Sequence, residues 1–327
     1  MLGHELDAKW RLVRVLGEGG TATVYEAVHR NGRRTAVKLL DVCAARNPAE
    51  AHRQAAAESQ IANAVSHPGI VQVYDDGVTA DGVPFLVMEL LDGATLESTR
   101  RAAGGRLRIG ACMPILEALL GTVGAIHDHG IVHRDIKPEN VFVTRSGDVK
   151  LLDFGLAVGP AWARDASPWF GTPGFLSPEQ ARGDWDKVDA RSDLWAVAAT
   201  SFTALAGRLV HPGHTSRALV AAAKAYAVDL EGTDLPEEIL GVLERGLAFQ
   251  RWNRWSDAHA MLVALRSAWE HGTHHRSGIM KAVCPLPSGD SAPRFFRVTS
   301  SEEVLETERD TERLFNGGPR SAPLSRR

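Results

Sequence analysis

An α+β fold in two unequal lobes is what this 327-residue sequence predicts, and three observations carry that reading. The first ninety positions hold short alternating apolar runs and turn signals, broken by a single long helical pattern. After Asp92-Gly93 the periodicity turns helical and persists to about Trp269. One short apolar hairpin, residues 141–152, interrupts it, with charged and polar residues at its ends. A small β-rich N-terminal lobe with one main helix and a larger, mostly helical C-terminal lobe satisfies all three. The expected boundaries are 10–88 for the first lobe, 89–92 for a connecting hinge, 93–270 for the second lobe, and 271–327 for a flexible polar tail.

Trp10 to Leu16 alternates as a strand, and a glycine-rich turn leads into a second strand, Val24 to Val28. Asn31-Gly32 then signals a type I′ hairpin, with Arg33 to Leu40 returning. The main helix is expected from Asn47, with Pro48 at its first position and Glu50 three residues after the cap, a capping-box pattern. Strands are expected again at Val71 to Tyr74 and Phe85 to Met88. In the second lobe Leu194 to Gly207 is uncharged but too short to span a bilayer, and reads as a buried helix. Residues 156–176 are irregular. From His271 onward Gly, Ser, Pro and charged residues dominate, with one short helix expected at 301–315.

Charge and cysteine usage exclude several classes. With 37 Lys and Arg against 40 Asp and Glu, the net charge of −3 gives no support for nucleic-acid binding. Cys43, Cys112 and Cys284 are far apart with no Cys-x-x-Cys pair, which fits a reducing compartment and no structural zinc. Residues 1–10 lack the apolar core of a signal peptide. A cytoplasmic protein without a membrane span is expected.

The chemistry concentrates around His133-Arg134-Asp135-Ile136-Lys137-Pro138-Glu139-Asn140 and Asp153-Phe154-Gly155. Between them Val141–Thr144 and Val149–Leu152 read as paired strands joined by Arg145–Asp148. If Thr144 pairs with Val149, Asn140 faces Asp153 across roughly 5 Å, a spacing one hard cation bridges. A solvated hairpin with polar ends is the alternative. Upstream, Gly17-Glu18-Gly19-Gly20-Thr21-Ala22 joins two strands, and such a loop either cradles a phosphate with free N–H groups or is only a turn. Ala36 and Lys38 share a strand face, which suits a flat base beside a small residue and a cation reaching phosphates. On the main helix Glu58 shares a face with Ala51, Ala55, Ile61 and Val65. A carboxylate there needs a partner, and Lys38 is the obvious one.

Taken together and in this order, the motifs resemble those of the eukaryotic-like (Hanks-type) bacterial serine/threonine protein kinases, over roughly residues 10–268. The resemblance implies the bilobal protein-kinase-like fold, with ATP and Mg2+ as cofactors and protein Ser/Thr hydroxyls as acceptors, in bacterial signalling. It implies glycine-loop positions at Gly17, Gly19 and Ala22, and adenine contacts from Val24, Ala36, Met88 and the hinge Glu89 to Leu91. Lys38 would pair with Glu58 and hold the α/β-phosphates. Asp135 would be the catalytic aspartate and Lys137 the γ-phosphate contact. Thr172 would bond both of them, and Asn140 and Asp153 would be the metal ligands. Asp193 would anchor the catalytic loop, and Glu179 of Ser177-Pro178-Glu179 would pair with Arg254. Three positions depart from the pattern. Ala22 replaces a glycine, Ser177 an alanine, and the segment before Arg254 lacks a common proline. None removes a charged participant.

A carboxylate is a feeble base at neutral pH, so the implied task of Asp135 is to orient the hydroxyl and accept its proton late. Arg134 is implied to meet a phosphorylated loop residue. Ser167 is the only hydroxyl between Gly155 and Thr172, and Asp165 offers a built-in anion instead. Trp162 and Trp169 would pack that segment or shape a peptide groove. The histidines at 127, 129 and 133 are read as structural rather than zinc-binding. Arg100, Arg101, Arg106 and Arg108 are read as a solvated linker, with a docking patch for acidic peptides as the alternative. Ser300, Ser301 and Thr307 offer tail hydroxyls, and the tail a site for a regulatory partner. The alternative function is a catalytically weak pseudokinase scaffold binding nucleotide and protein partners. Intact Lys38, Glu58, Asp135, Asn140 and Asp153 argue against it. A small-molecule kinase of related fold is disfavoured by Thr172 and Ser177-Pro178-Glu179.

Overall fold

Glu5–Leu6 (β1), Trp10–Glu18 (β2), Ala22–His29 (β3) and Arg34–Leu40 (β4) form an antiparallel meander in the computed structural model, which describes residues 2–20, 22–41, 48–159, 171–274 and 296–297. The helix Pro48–Ala64 (α1) follows, then Val73–Val78 (β5) and Pro84–Met88 (β6), in the strand order β1-β2-β3-β4-β6-β5. Strand β4 sits inside this sheet and is buried on both faces. Val37 and Leu39 join Trp10, Leu12, Ala27, Phe85 and Val87 in one apolar cluster. The alternate residues Ala36, Lys38 and Leu40 turn to the opposite face, as a period of two requires. Helix α1 packs there through Ala51, Ala55, Ile61, Ala62 and Val65, all buried, with Glu58 among them.

The β3–β4 connection differs from the expected type I′ turn. Gly32, but not Asn31, takes a left-handed φ (88°), and the His29 amide donates to the Arg33 carbonyl at 2.8 Å. One glycine closing a three-residue loop does the work that a two-residue turn would need from two positive-φ residues. The expected cap of α1, Asn47, lies outside the described residues. Strand β5 begins at Val73 rather than Val71.

The second lobe opens with a strand that the sequence did not announce, Gly93–Thr95 (β7). Its three residues pair with Val141–Thr144 (β8), which pairs in turn with Val149–Leu151 (β9). Gly93 is required there: at φ 159° a Cβ would come within 2.1 Å of the Val143 carbonyl. Thr95 caps Leu96–Ala102 (α2), its Oγ1 accepting from the Ser98 amide. Ile109–Asp128 (α3) is long and apolar enough to cross a membrane by length and composition. Here its residues Met113, Leu116, Leu119, Leu120 and Val123 lie in the main core, against Ala190–Ala206 (α5) and Ala258–His274 (α8). Every residue of α5 from Ser192 to Leu205 is buried, as the uncharged stretch predicted. Pro178–Arg182 (α4), Ser216–Ala225 (α6) and Glu237–Gly246 (α7) complete the lobe.

Helix α8 runs to His274, past the expected end of the lobe, because its helical pattern continues through Glu270 and His271. Two residues of the expected flexible tail, Phe296–Arg297 (β10), form a strand parallel to β2 at Gly17 and Glu18. The helix expected at 301–315 lies outside the described residues.

The turn after α1 fastens the lobes together. The Leu151 amide donates to the Gly69 carbonyl at 2.7 Å, and Ile70 bridges to Leu151. Gly69 abuts α3 so closely that a Cβ would stand 1.9 Å from Thr122 Oγ1. Gly69→Ala is therefore expected to destabilise the protein by about 1–3 kcal/mol through overpacking. Thermal denaturation should show a lower Tm, partly restored by adding Thr122→Ala; an unchanged Tm for the single variant would refute the contact.

Candidate active site

The register of the sheet decides what faces the gap between the lobes. Gly17 pairs with Val24, Val24 with Lys38, and Ala36 with Met88, so all five positions share one side of the sheet. A cleft opens there. Gly19, Ala22, Val24, Ala36, Lys38, Glu58, Met88, Glu89, Leu91 and Asp153 line it, together with Val71 and Leu152. Gly17 is an exception to the expected set: it holds the strand pairing above the cleft rather than lining it. Leu16, Val24, Ala36, Val71, Leu91, Phe142 and Leu152 form one apolar cluster with Met88 and Leu90 packed on it. A flat apolar slot thus ends at charged groups. Glu89 spends its side chain on structure, accepting from Lys150 Nζ at 2.6 Å and from the Gln72 amide at 2.9 Å.

Those charged groups centre on Lys38. Its Nζ donates to Glu58 Oε1 at 2.7 Å, to Glu58 Oε2 at 2.9 Å and to Asp153 Oδ1 at 2.8 Å. Burial alone would discharge the ammonium, but Asp153 and Glu58 outweigh it and hold the Lys38 pKa above its ordinary value. Burial likewise opposes ionisation of Asp153, and Lys38 overcomes it, leaving that carboxyl well below the usual range. Glu58 is pushed up, by burial first and then by the nearby Asp153 charge.

Asp153 leaves the hairpin in a left-handed conformation (φ 62°), and here the expected register is corrected. The pairs are Val141↔Leu151, Phe142↔Lys150 and Val143↔Val149. Thr144 therefore faces Asp148, and the Leu152 amide donates to the Asn140 carbonyl at 2.8 Å. The cause is Gly147 (φ 92°), which tightens the turn to three residues and moves the register by one. Asp153 is not directly opposite Asn140. It stands one residue further, where the backbone swings it toward Lys38.

The segment that begins at His133 hangs from one buried carboxylate in the first turn of α5. Asp193 accepts from the His133 amide (2.8 Å), the Arg134 amide (2.8 Å) and His127 Nε2 (2.9 Å). These contacts keep it ionised below the usual carboxylate range despite complete burial. Held this way, Arg134 takes φ 69°, and Asp135 turns toward Thr172. The Thr172 hydroxyl and amide each donate to Asp135 Oδ1 at 3.0 Å, and Lys137 Nζ donates to Thr172 Oγ1 at 2.6 Å. Lys137 also lies 2.8 Å from Asp135 Oδ2. Burial opposes its charge and Asp135 restores it, so its pKa is raised. Asn140 Nδ2 donates to the Asp135 carbonyl at 2.8 Å and to Oδ2 at 3.1 Å.

The remaining histidines are engaged as structural groups: His133 Nε2 lies 3.1 Å from the Leu152 carbonyl and its ring meets Phe154 edge-on at 4.9 Å. His129 Nδ1 lies 2.9 Å from the Ala125 carbonyl. Arg134 Nε donates to the Leu156 carbonyl at 2.5 Å. Burial lowers the pKa of this guanidinium to about 10, so it stays charged at neutral pH. Asp165, Ser167, Trp162 and Trp169 lie outside the described residues. Of the arginines read as a solvated linker, Arg100 is the correction: it is half-buried, and Glu97 accepts from its Nε and Nη2, both at 2.8 Å.

Behind Thr172, Ser177 caps α4 in a capping box with Gln180, and Gln180 Nε2 donates to the Arg134 carbonyl at 2.9 Å. The sequence held no hint of this last bond, because Gln180 falls outside every motif. Glu179 is gripped as expected: Arg254 donates to both its oxygens at 2.6 and 2.8 Å, and Ser192 Oγ donates at 2.6 Å. Burial would raise the Glu179 pKa, and the hydrogen bonds and charge of Arg254 reverse that and lower it.

Comparison with known proteins agrees with this geometry. Residues 10–283 match the family model described as protein kinase domain. The chain is 35% identical over 305 residues, 88% of its length, to the serine/threonine-protein kinase pkn2 of Myxococcus xanthus, of which it covers 36%. It is 29% identical over 276 residues to the serine/threonine-protein kinase PrkC of Bacillus subtilis, covering 83% of this chain and 42% of that one. To the serine/threonine-protein kinase PknB of Mycolicibacterium smegmatis it is 33% identical over 280 residues, 80% of this chain and 43% of the relative. The chain thus spans well under half the length of these curated relatives.

The Glu179–Arg254 pair can be tested directly. Arg254→Met strands a buried carboxylate and is expected to cost about 3–5 kcal/mol at neutral pH. Because the paired Glu179 pKa is lowered, its contribution is present above about pH 4.5 and lost as pH falls through the folded value. Urea unfolding should show the gap between wild type and variant narrowing in acid; a gap independent of pH would contradict the pairing.

Proposed function

We propose that this chain, which belongs to the protein kinase domain family, transfers the γ-phosphate of ATP to serine or threonine hydroxyls of protein substrates. The observation that carries the proposal is convergence. Lys38, Glu58 and Asp153 meet at the same cleft as the apolar slot, and Asn140 hydrogen-bonds the Asp135 carboxylate that Lys137 and Thr172 also hold.

In this reading the slot between Val24 and Ala36 above and Leu152 below takes the adenine ring, with the hinge backbone at Glu89 to Leu91 along its edge. Lys38, fixed by Glu58, holds the α/β-phosphates. Asp153 and Asn140 are hard oxygen donors of the kind Mg2+ takes and would hold it here. Bound there, it would supply positive charge against the phosphate oxygens during transfer. Asp135 accepts the hydrogen bond of the acceptor hydroxyl and takes its proton as the oxygen–phosphorus bond forms and ADP departs. Lys137 meets the transferred phosphoryl group, and Thr172 keeps Lys137 and Asp135 in register. Little covalent work is asked of the protein, so positioning and charge carry the rate.

The Ser/Thr preference rests on Lys137 and Thr172 and on the names of the relatives. Mg2+ as the physiological ion, cytoplasmic location, a role in bacterial signalling and a regulatory partner for the tail belong to the same proposal. The intact Lys38, Glu58, Asp135, Asn140 and Asp153, with Lys38 and Glu58 2.7 Å apart, weigh against the scaffold alternative.

Lys38→Met and Asp135→Asn are expected to keep the far-UV circular dichroism of the folded protein. Each should lower transfer of labelled phosphate from ATP to a generic basic protein by roughly 10²–10⁴-fold. Full activity in either purified variant would refute the assignment.

A further inference from the structure

Helix α1 presents a second polar side chain to the site one turn before Glu58. Gln54 and Glu58 are four residues apart and so lie on one face. Gln54 Nε2 donates to the Gly155 carbonyl at 3.2 Å, across 101 residues of chain. The fit around Gly155 is close. A Cβ placed there would meet Gln54 Nε2 at 2.9 Å, Asp153 Oδ1 at 3.1 Å and Glu58 Oε2 at 3.3 Å. The Gly155 amide turns back to donate to Asp153 Oδ1 at 3.3 Å. One helix therefore touches the Asp153-Phe154-Gly155 turn in two ways: Glu58 through Lys38 to the Asp153 carboxylate, and Gln54 directly to the backbone beyond it.

We propose that Gln54 is a positioning residue that couples α1 to the Asp153-Phe154-Gly155 turn and so fixes the metal-ligand carboxylate for phosphoryl transfer. The proposal rests on the kinase reading above and deepens it. The Lys38 bridge fixes the tip of Asp153, and the Leu152 amide, donating to the Asn140 carbonyl at 2.8 Å, fixes the chain just before it. Gln54 adds a hydrogen bond from α1 to the backbone two residues after it. Gln54 is not among the residues that line the cleft, so its effect belongs to the metal and phosphate end and not to nucleobase affinity.

Gln54→Met keeps length, volume and helix propensity while removing the donor. It is expected to lower kcat by about 3–10-fold, the size of one lost hydrogen bond. The Mg2+ concentration for half-maximal rate should rise by a similar factor, with Tm and the KM for ATP near wild type. Arg53→Met, on the exposed side of the same helix, should leave all four quantities unchanged. Hydrogen exchange gives a readout independent of catalysis: amides of 153–157 should exchange faster in Gln54→Met than in wild type. Wild-type kcat, Mg2+ response and exchange in Gln54→Met would overturn the proposal, as would an equal loss in Arg53→Met. If wild type transfers no phosphate, the kinase reading falls, and the exchange experiment still decides whether Gln54 holds the turn.

Discussion

A buried ammonium held between two carboxylates from different parts of the chain organises this molecule. Lys38 comes from the middle of the N-terminal sheet, Glu58 from the helix beside it, and Asp153 from the end of a hairpin in the other lobe. Lys38 and Glu58 are buried, and an uncompensated charge out of water costs several kcal/mol, while Asp153 brings the second carboxylate from the cleft side. Each of the buried pair therefore requires a partner. Satisfying that requirement fixes the rotation of α1 against the sheet and draws the two lobes to one spacing. The upward shift of Lys38 and the downward shift of Asp153 express the same mutual dependence.

The larger lobe repeats this logic with Asp193 and Glu179. Asp193 ties down two consecutive backbone amides and a histidine, and that is what lets a non-glycine residue, Arg134, adopt a left-handed backbone next to Asp135. Glu179 and Arg254 fasten the segment after Thr172 to the far side of the lobe. Gln180 closes the loop by reaching back to the Arg134 carbonyl. The groups proposed to meet substrate thus rest on a polar frame buried in an otherwise apolar core, and preorganisation of this kind is what phosphoryl transfer asks of a protein.

Much of this was legible in the sequence because it is local or charge-driven. A carboxylate on the packed face of α1 demanded a cation, and Lys38 was the available one. The alternation of β4 put Ala36 and Lys38 on one side. Where backbone conformation, rather than residue type, decided the outcome, the reading was off by a residue. Gly32 and Gly147 each closed three-residue turns, and the second moved the 141–152 hairpin register enough to shift Asp153 away from direct opposition to Asn140. Strand β7, only three residues long, carries too little periodicity to be seen. Val71 and Leu152 line the cleft without belonging to any motif, and only the three-dimensional placement of the two lobes reveals them. Gln54 is of the same kind, since its partner is a backbone carbonyl, which the sequence does not display.

As proposed here, a single nucleotide would bring together the apolar slot, the Lys38 bridge and the oxygens of Asp153 and Asn140 in one cleft. A crystal structure with a non-hydrolysable ATP analogue and Mn2+ addresses this directly. The base is expected between Ala36 and Leu152, with an anomalous peak in contact with both Asp153 and Asn140. A nucleotide seated elsewhere, or a metal peak remote from these two side chains, would contradict it.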